Sequence, residues 1–224
     1  VRRLLACVYQ ATRNSSETTR LAAEAVATGL GAEFFAFDVD QLVEGYVETV
    51  STAIGRTLNW ENDDLALQNI QARVRAPGVW LLANLRQALL LATSNRSEAA
   101  VGYTTMDGDT CGGISPIAGI DKAFLRDWLR WIEKSGADGC GPVPELAPVN
   151  IQQPTAELRP PGEGQTDESD LMPYSVLDAI ERLAIRDKLS PLEVFQQLQV
   201  DPRIESAGYT NELLVGWTRR FFQL

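Results

Sequence analysis

Hydroxyl, amide and carboxylate side chains crowd the segment Thr-Ser-Asn-Arg-Ser-Glu at residues 93–98, and a lysine, Lys122, follows at a predicted helix start. Asn95 and Glu98 have the spacing of a capping box, so helix capping alone would explain the presence of Glu98. Asp121 is the predicted N-cap of the next helix. A lysine in the first turn opposes the helix dipole unless an anion lies opposite it. These residue types hint at a site for a phosphate.

The elements around this segment would place it at the edge of a sheet. The apolar run Leu89–Ala92 predicts a buried parallel strand, because no polar residue alternates through it. In open α/β sheets, ligands bind where such a strand passes through a turn into a helix. The loop Gly102–Gly113 is too rich in glycine and hydroxyl groups for a packed helix, and it could bring its backbone close to a ligand.

The first part of the chain predicts a strand, a helix and a second strand. The strands are expected at Val1–Tyr9 and Phe34–Val39, and Asn14 with Glu17 has the spacing of a cap for the helix between them. This order implies a right-handed parallel crossover. The fold class is therefore α/β.

Further helices follow from apolar spacing. One begins near Asn62 and should bend or end at Pro77-Gly78. The apolar residues 79–91 then predict a buried helix running into the central strand. The helix after Lys122 is strongly amphipathic and predicted to pack in the core. Three more helices are expected around Leu177–Ala184, after Ser190-Pro191 and from about residue 211.

Composition limits the classes of function. The 224 residues, 45% of them apolar, predict one domain over residues 1–224. Thirty acidic against twenty basic residues argue against nucleic-acid binding. The absence of histidine and the odd count of three cysteines exclude Cys/His zinc sites and Ser-His or Cys-His catalytic pairs within the chain. With no signal peptide or membrane-spanning run, the expected location is cytoplasmic, with no membrane partner.

Four motifs in order resemble the NAD synthetases. They are Thr-x-Asn-x-Ser-Glu-x-x-x-Gly-Tyr-x-Thr at 93–105 with Gly108-Asp109, Pro116-Ile117 and Lys122; Leu-Gln-Asn-Ile-Gln-Ala-Arg-Val-Arg at 67–75; Pro-Thr-Ala-Glu-Leu-Arg at 154–159; and Gln-Thr-Asp-Glu at 165–168 with Pro173-Tyr174. The motif residues are more similar to those of the synthetase domain of glutamine-dependent members than to those of ammonia-dependent members. GMP synthetases, also N-type ATP pyrophosphatases, lack this combination.

The resemblance implies a three-layer α/β/α fold with a parallel sheet, as in the N-type ATP pyrophosphatases (adenine nucleotide alpha hydrolase-like). It implies a ligase that forms a carbon–nitrogen bond and converts deamido-NAD (nicotinic acid adenine dinucleotide) to NAD with ATP and Mg²⁺. It further implies a homodimer or higher homo-oligomer, and a glutaminase domain as ammonia source in the full protein. No catalytic general base is required by this chemistry.

Site residues carry over from the family by position. The residues implied to contact ATP are Thr93, Lys122 and Thr155. The residues implied to contact deamido-NAD are Asn69, Arg73, Glu98, Tyr103, Thr104, Thr105 and Met106. Glu98 would also lie beside the metal. Taken alone, Arg73 or Arg75 could be simply exposed, and Asp107 and Asp109 suggest either a metal pair or, for Asp107 at least, turn chemistry.

The sequence also departs from the family. The pyrophosphate-binding pattern Ser-Gly-Gly-x-Asp-Ser is not found in it, so the chain as written is expected to be inactive and partial at both ends, lacking the family's first strand. The family has an aspartate at Gly113 and a lysine at Met106 in ammonia-dependent members. The glycine- and proline-rich residues 135–173 are expected to form a mobile lid. The alternative function is a non-catalytic nucleotide-binding fragment or paralogue that serves as an assembly module.

Overall fold

The computed structural model describes residues 4–160, 162 and 165–224. Two parallel strands, β1 (Ala6–Ala11) and β2 (Glu33–Asp38), pair in a register that sets Ala6 opposite Glu33 and Ala11 opposite Asp38. Helix α1 (Glu17–Gly29) connects them. The predicted strand–helix–strand unit with parallel pairing is confirmed, although the predicted positions 1–3 lie outside the described residues.

Ten further helices follow α1 in the described ranges. They are α2 (Asp40–Ile54), α3 (Trp60–Arg86), α4 (Arg96–Ala100), α5 (Lys122–Lys134), α6 (Ala147–Asn150), α7 (Asp167–Asp170), α8 (Tyr174–Glu181), α9 (Pro191–Gln199), α10 (Pro202–Ser206) and α11 (Asn211–Phe221). A 3₁₀ turn at Pro144–Leu146 precedes α6, and a π-helical turn at Arg182–Arg186 extends α8. The helices predicted near 177–184, 191 and 211 are confirmed.

The cap of α1 differs from the predicted one. Ser16 is the N-cap, and its hydroxyl accepts a hydrogen bond from the backbone N–H of Thr19. Asn14 is buried and donates instead to Gln71 Oε1 at 2.9 Å and to the carbonyl of Leu158 at 3.1 Å. The side chain of Asn14 therefore forms long-range hydrogen bonds and does not act as the helix cap that the local spacing predicted.

Helix α3 passes through Pro77 and continues to Arg86, so the prediction of a separate helix over 79–91 is wrong. Proline removes one backbone hydrogen-bond donor, which a long helix can tolerate when the bonds of the neighbouring turns remain. Asn59 caps this helix, three residues before the predicted start.

The segment Leu89–Ala92 is not the buried strand that its apolar run predicted. It makes one parallel bridge, between Leu91 and Ile114, and Leu89 is 63% exposed. Leu91 is also exposed, so the apolar side chains of this segment are not covered on both faces. Gly112 packs so closely against it that a Cβ there would lie under 3.0 Å from the backbone of Ala92. The glycine-rich loop thus lies against protein backbone at this point.

The main apolar core lies in the C-terminal helices. Met172, Leu177, Ile180, Val194 and Leu198 are almost completely buried there. By contrast, α5 has no fully buried residue, and its aromatic face is partly exposed. The prediction that α5 packs in the core is therefore wrong for the described part of the chain, because no described element covers that face.

The region predicted as a lid contains short helices and is fastened at one end. Leu158 is buried, and its carbonyl accepts a hydrogen bond of 2.7 Å from the side chain of Gln71. Arg159 forms ion pairs with Asp64 at 2.8 Å and with Asp170 at 3.2 Å. These contacts join Leu158 and Arg159 to α3 and α7. Lid motion itself stays a prediction.

Among the helices described, none combines the length and the apolar character needed to cross a bilayer.

Candidate functional site

A polar cavity of about 300 Å³ opens at the end of the segment Leu89–Ala92. Thr93, Glu98, Lys122 and Thr155 all line it. The structure therefore brings together the side chains that the resemblance assigned to ATP and metal, although they come from three separate stretches of the chain. This is the end of the strand-like segment at which α/β folds bind ligands.

Glu98 and Lys122 form an ion pair in the cavity wall. The Lys122 Nζ lies 2.7 Å from Glu98 Oε1 and 4.0 Å from Asp167 Oδ2. Asn95 caps α4 in a capping box that includes Glu98, and Asp121 caps α5, as predicted. The anion that the first-turn lysine required is thus supplied by protein carboxylates. Glu98 caps α4 and also lines the cavity, so the two interpretations of it are compatible.

A buried carboxylate joins the helices that carry this ion pair. Asp178 of α8 accepts hydrogen bonds from the Ser97 hydroxyl and from the Ala123 N–H, the latter at 3.0 Å. Ser97 Oγ in turn accepts the Lys122 N–H at 2.8 Å. Burial raises the pKa of Asp178 to about 6, although the hydrogen bonds from Ser97 and Ala123 oppose this. The network fixes the first turns of α4 and α5, and hence the spacing of Glu98 and Lys122.

Thr155 reaches the cavity from the 154–159 segment. Its hydroxyl accepts a hydrogen bond of 3.2 Å from the Glu157 N–H. Glu157 has a left-handed backbone conformation, φ 48°, and its carboxylate accepts from Ser16 N at 3.1 Å and Thr19 Oγ1 at 2.8 Å. Contacts to α1 therefore hold a backbone conformation that non-glycine residues rarely adopt.

The residues assigned to deamido-NAD form a second, adjoining group. Asn69 Oδ1 accepts from Thr105 Oγ1 at 2.9 Å, and Arg73 Nε donates to the Met106 carbonyl at 3.1 Å. Both contacts tie α3 to the loop after α4. Thr104 shares a hydrogen bond of 3.0 Å with Ser94.

Tyr103 links this second group to the cavity, which its side chain also lines. Its hydroxyl donates to Asp170 at 2.9 Å, and burial raises its pKa above the usual range. Among the residues assigned to the dinucleotide, Tyr103 and Glu98 line the cavity, while Met106 is 68% exposed.

The two aspartates of the loop have different environments. Asp107 has a positive φ of 63°, which agrees with turn chemistry. Asp109 lines the cavity and accepts the Thr105 N–H at 2.8 Å. The described ranges contain no cluster of three metal-ligating side chains, so a metal site formed by Asp107 and Asp109 stays a prediction.

The donor chemistry of the cavity nevertheless suits Mg²⁺ that arrives with a nucleotide. Glu98, Asp109 and Asp167 line it and offer carboxylate oxygens, the ligands that Mg²⁺ prefers. Mg²⁺ in nucleotide sites usually takes one or two carboxylates and completes its shell with phosphates and water. A three-residue protein cage is therefore not required.

Sequence reasoning missed three residues of this site. Asp178 carries no local signal that distinguishes it from an exposed acid, since only the packing of α8 brings it to the first turn of α5. Asp167 lies in the family motif Gln-Thr-Asp-Glu at 165–168, but the resemblance assigned it no role. Asp167 donates nothing and accepts the Tyr174 hydroxyl at 2.7 Å, and burial raises its pKa. The third, Arg75, ends the family motif at 67–75, and the sequence left open whether Arg73 or Arg75 is simply exposed. The periodicity of α3 could have placed it on a buried face.

The architecture and the cavity define an α/β protein with a parallel sheet and a polar ligand site at the strand ends. Residues 2–211 match the family model described as NAD synthase. The chain therefore belongs to the NAD synthase family, and the resemblance inferred from its motifs is confirmed.

Individual relatives agree with this membership. A glutamine-dependent NAD(+) synthetase from Aquifex aeolicus is 36% identical over 96% of this chain and 40% of its own length. The corresponding human protein is 29% identical over 88% of this chain and 30% of its own length. The chain thus spans two fifths or less of these curated relatives.

Solved structures confirm the predicted fold class. A crystal structure of a glutamine-dependent NAD(+) synthetase from Cytophaga hutchinsonii matches with a TM-score of 0.77 and 45% identity, covering 96% of this chain and 32% of that one. An NMN synthetase from Francisella tularensis matches at 0.67 with 18% identity, covering 97% of this chain and 74% of that one, and so shows the fold alone.

Proposed function

We propose that this chain is the synthetase domain of a glutamine-dependent NAD⁺ synthetase. The reaction would be the ATP-dependent amidation of deamido-NAD. The nicotinate carboxylate attacks the α-phosphate of ATP and releases pyrophosphate, and ammonia then displaces AMP from the acyl adenylate to form the amide. The single observation that carries the proposal is the convergence of Thr93, Glu98, Lys122 and Thr155 on one cavity.

Such a site must mainly neutralise the negative charge of its two substrates. Two polyanions must approach each other, so a cation at Lys122 and hydroxyl donors at Thr93 and Thr155 would stabilise phosphate oxygens. Magnesium, when bound, would neutralise further phosphate charge. No proton needs to be removed from the attacking carboxylate at neutral pH, which agrees with a chain that has no histidine.

The dinucleotide would lie on the adjoining group of residues. Asn69, Arg73 and the loop 103–106 already bind one another across α3 and the loop, so they form a pre-organised surface beside the cavity. By the family resemblance, ammonia would come from a glutaminase domain, and two copies of the protein would associate as a homodimer.

The experiment that tests this proposal uses the protein that carries this chain. It would be incubated with deamido-NAD, ATP, Mg²⁺ and either glutamine or ammonium chloride, and NAD, AMP and pyrophosphate would be quantified. We expect the three products in equal amounts. Consumption of ATP without NAD would contradict the proposed reaction.

The second candidate is a nucleotide-binding module without catalysis. It uses the same cavity residues, Thr93, Lys122 and Thr155, to hold a nucleotide, and it differs from the first candidate only in forming no product. Binding of ATP with no turnover in the same incubation would support this candidate over the first.

A further inference from the structure

Arg75 is a cation of the cavity that has no direct protein partner. It lies on α3 and lines the cavity with Thr93, Glu98 and Lys122. Lys122 is already paired with Glu98 at 2.7 Å. In the described ranges, Arg75 forms neither a hydrogen bond nor an ion pair, and its buried Nε has no acceptor. Of the two cavity cations, Arg75 is thus the one with its donors still available.

The acids nearest to Arg75 have other partners. Asp109 accepts the Thr105 N–H at 2.8 Å, and Glu157 accepts from α1. Burial lowers the pKa of Arg75, and the charges of Asp109 and Glu157 only partly offset this effect. Arginine nevertheless keeps its proton in proteins, so a charged guanidinium remains beside the cavity without a countercharge in contact.

Other arginines in the same region have partners for their guanidinium groups. Arg159 bridges Asp64 and Asp170, and Arg73 donates to a backbone carbonyl. Arg75 is half-buried, and its Nε is buried without an acceptor, which is unfavourable in the free protein and would be relieved by an incoming anion. The environment of Arg75 is therefore that of a ligand-binding arginine rather than of a structural one.

The chemistry of the surrounding donors selects the kind of anion. Thr93 and Thr155 add hydroxyl groups to the two cations of the cavity wall. A phosphoanhydride has many acceptor oxygens and can bind the guanidinium fork with two of them while others face the hydroxyls. We propose that Arg75 binds the phosphoanhydride group of a nucleotide in this cavity. This inference rests on the proposed function and names a further binding residue for it.

Two sources could supply that group, namely the triphosphate of ATP and the diphosphate of deamido-NAD. The test is calorimetric titration of the protein that carries this chain with inorganic pyrophosphate, with MgATP and with deamido-NAD. The variants are Arg75→Gln, which removes the charge, and Arg75→Lys, which keeps the charge but removes the fork. Arg86→Gln is the matched control, because Arg86 lies on the same helix and pairs with Glu33 away from the cavity.

We expect Arg75→Gln to weaken binding of the phosphoanhydride ligand by about 10- to 100-fold, as expected for loss of hydrogen bonds to a charged group, and Arg75→Lys to weaken it less. Weaker binding of pyrophosphate and MgATP alone would assign Arg75 to the triphosphate. Weaker binding of deamido-NAD alone would assign it to the dinucleotide.

A second measurement separates ligand binding from a structural role. Since Arg75 has no partner in the free protein, the Tm of ligand-free Arg75→Gln should equal or exceed that of the unmodified protein. A marked fall in Tm, or unchanged affinity for all three ligands in both variants, would overturn the inference. If the unmodified protein bound none of the three ligands, the proposed function itself would fail. If it bound them and made NAD while the Arg75 variants behaved identically, only the role of Arg75 would be refuted.

Discussion

Replacing Asp178 with asparagine tests the buried joint between α4, α5 and α8. Burial raises the pKa of Asp178 from about 3.8 to about 6, in spite of hydrogen bonds from Ser97 and Ala123 that favour the charged form. A displacement of roughly two pH units corresponds to about 3 kcal/mol, since one unit is 1.36 kcal/mol. Asparagine has nearly the same shape and does not titrate.

The sign of the effect follows from which state binds the proton more tightly. The folded protein holds the Asp178 proton up to about pH 6, whereas the unfolded chain releases it near pH 3.8. The stability contributed by the protonated group is therefore complete below pH 3.8 and is lost as the pH rises through 6. Relative to the asparagine variant, the unmodified protein should lose up to about 3 kcal/mol of unfolding free energy between pH 4 and pH 7.

The assay is urea unfolding of both proteins at several pH values, with the difference in unfolding free energy taken at each pH so that other carboxylates cancel. The exposed Asp138, which forms no ion pair within the described ranges, provides the control Asp138→Asn. That control measures the effect of removing an exposed carboxylate, and the profile of Asp178→Asn is compared with it. A flat difference for Asp178→Asn, within about 0.5 kcal/mol, would refute the argument that burial dominates at this carboxylate.

Three further substitutions test local features of the site. Gly112→Ala would place a Cβ within 3.0 Å of neighbouring backbone and should lower the unfolding free energy by about 1–3 kcal/mol. Gly141→Ala is the control, because the space around Gly141 is open and the unfolding free energy should change little. Equal urea midpoints for the two variants would contradict the close packing at Gly112. Asn95→Ala removes the cap of α4 and should cost about 1 kcal/mol, measured the same way. Tyr174→Phe removes the 2.7 Å hydrogen bond to Asp167 and should cost about 1–2 kcal/mol at pH 7; an unchanged Tm would show that this bond adds nothing.

Local sequence patterns predicted the helix starts of the site well. The capping box at Asn95 and the cap at Asp121 need only residues within one turn, so their chemistry is complete in the local sequence. The same holds for the capping box at Ser190. The motifs of the family placed Thr93, Glu98 and Lys122 correctly in one cavity, although their roles there remain proposals.

Features that depend on distant neighbours were not predictable in this way. The apolar run at Leu89–Ala92 and the amphipathic face of α5 both indicated burial, but burial requires a covering element, which no local pattern contains. Asn14 has the composition of a cap, yet Gln71, 57 residues away, takes its side chain. Asp178 and Arg75 likewise gain their significance only from helices packed against them.

The most direct test of the central claim is ATP–pyrophosphate exchange that depends on deamido-NAD, because exchange requires the phosphates and the dinucleotide carboxylate to meet in one cavity. The protein that carries this chain would be compared with its Lys122→Ala and Glu98→Ala variants, with far-UV circular dichroism to confirm that both are folded. We predict that each variant lowers the exchange rate at least about 100-fold, as for loss of a group that stabilises transition-state charge. Near-normal exchange in both folded variants would contradict the account.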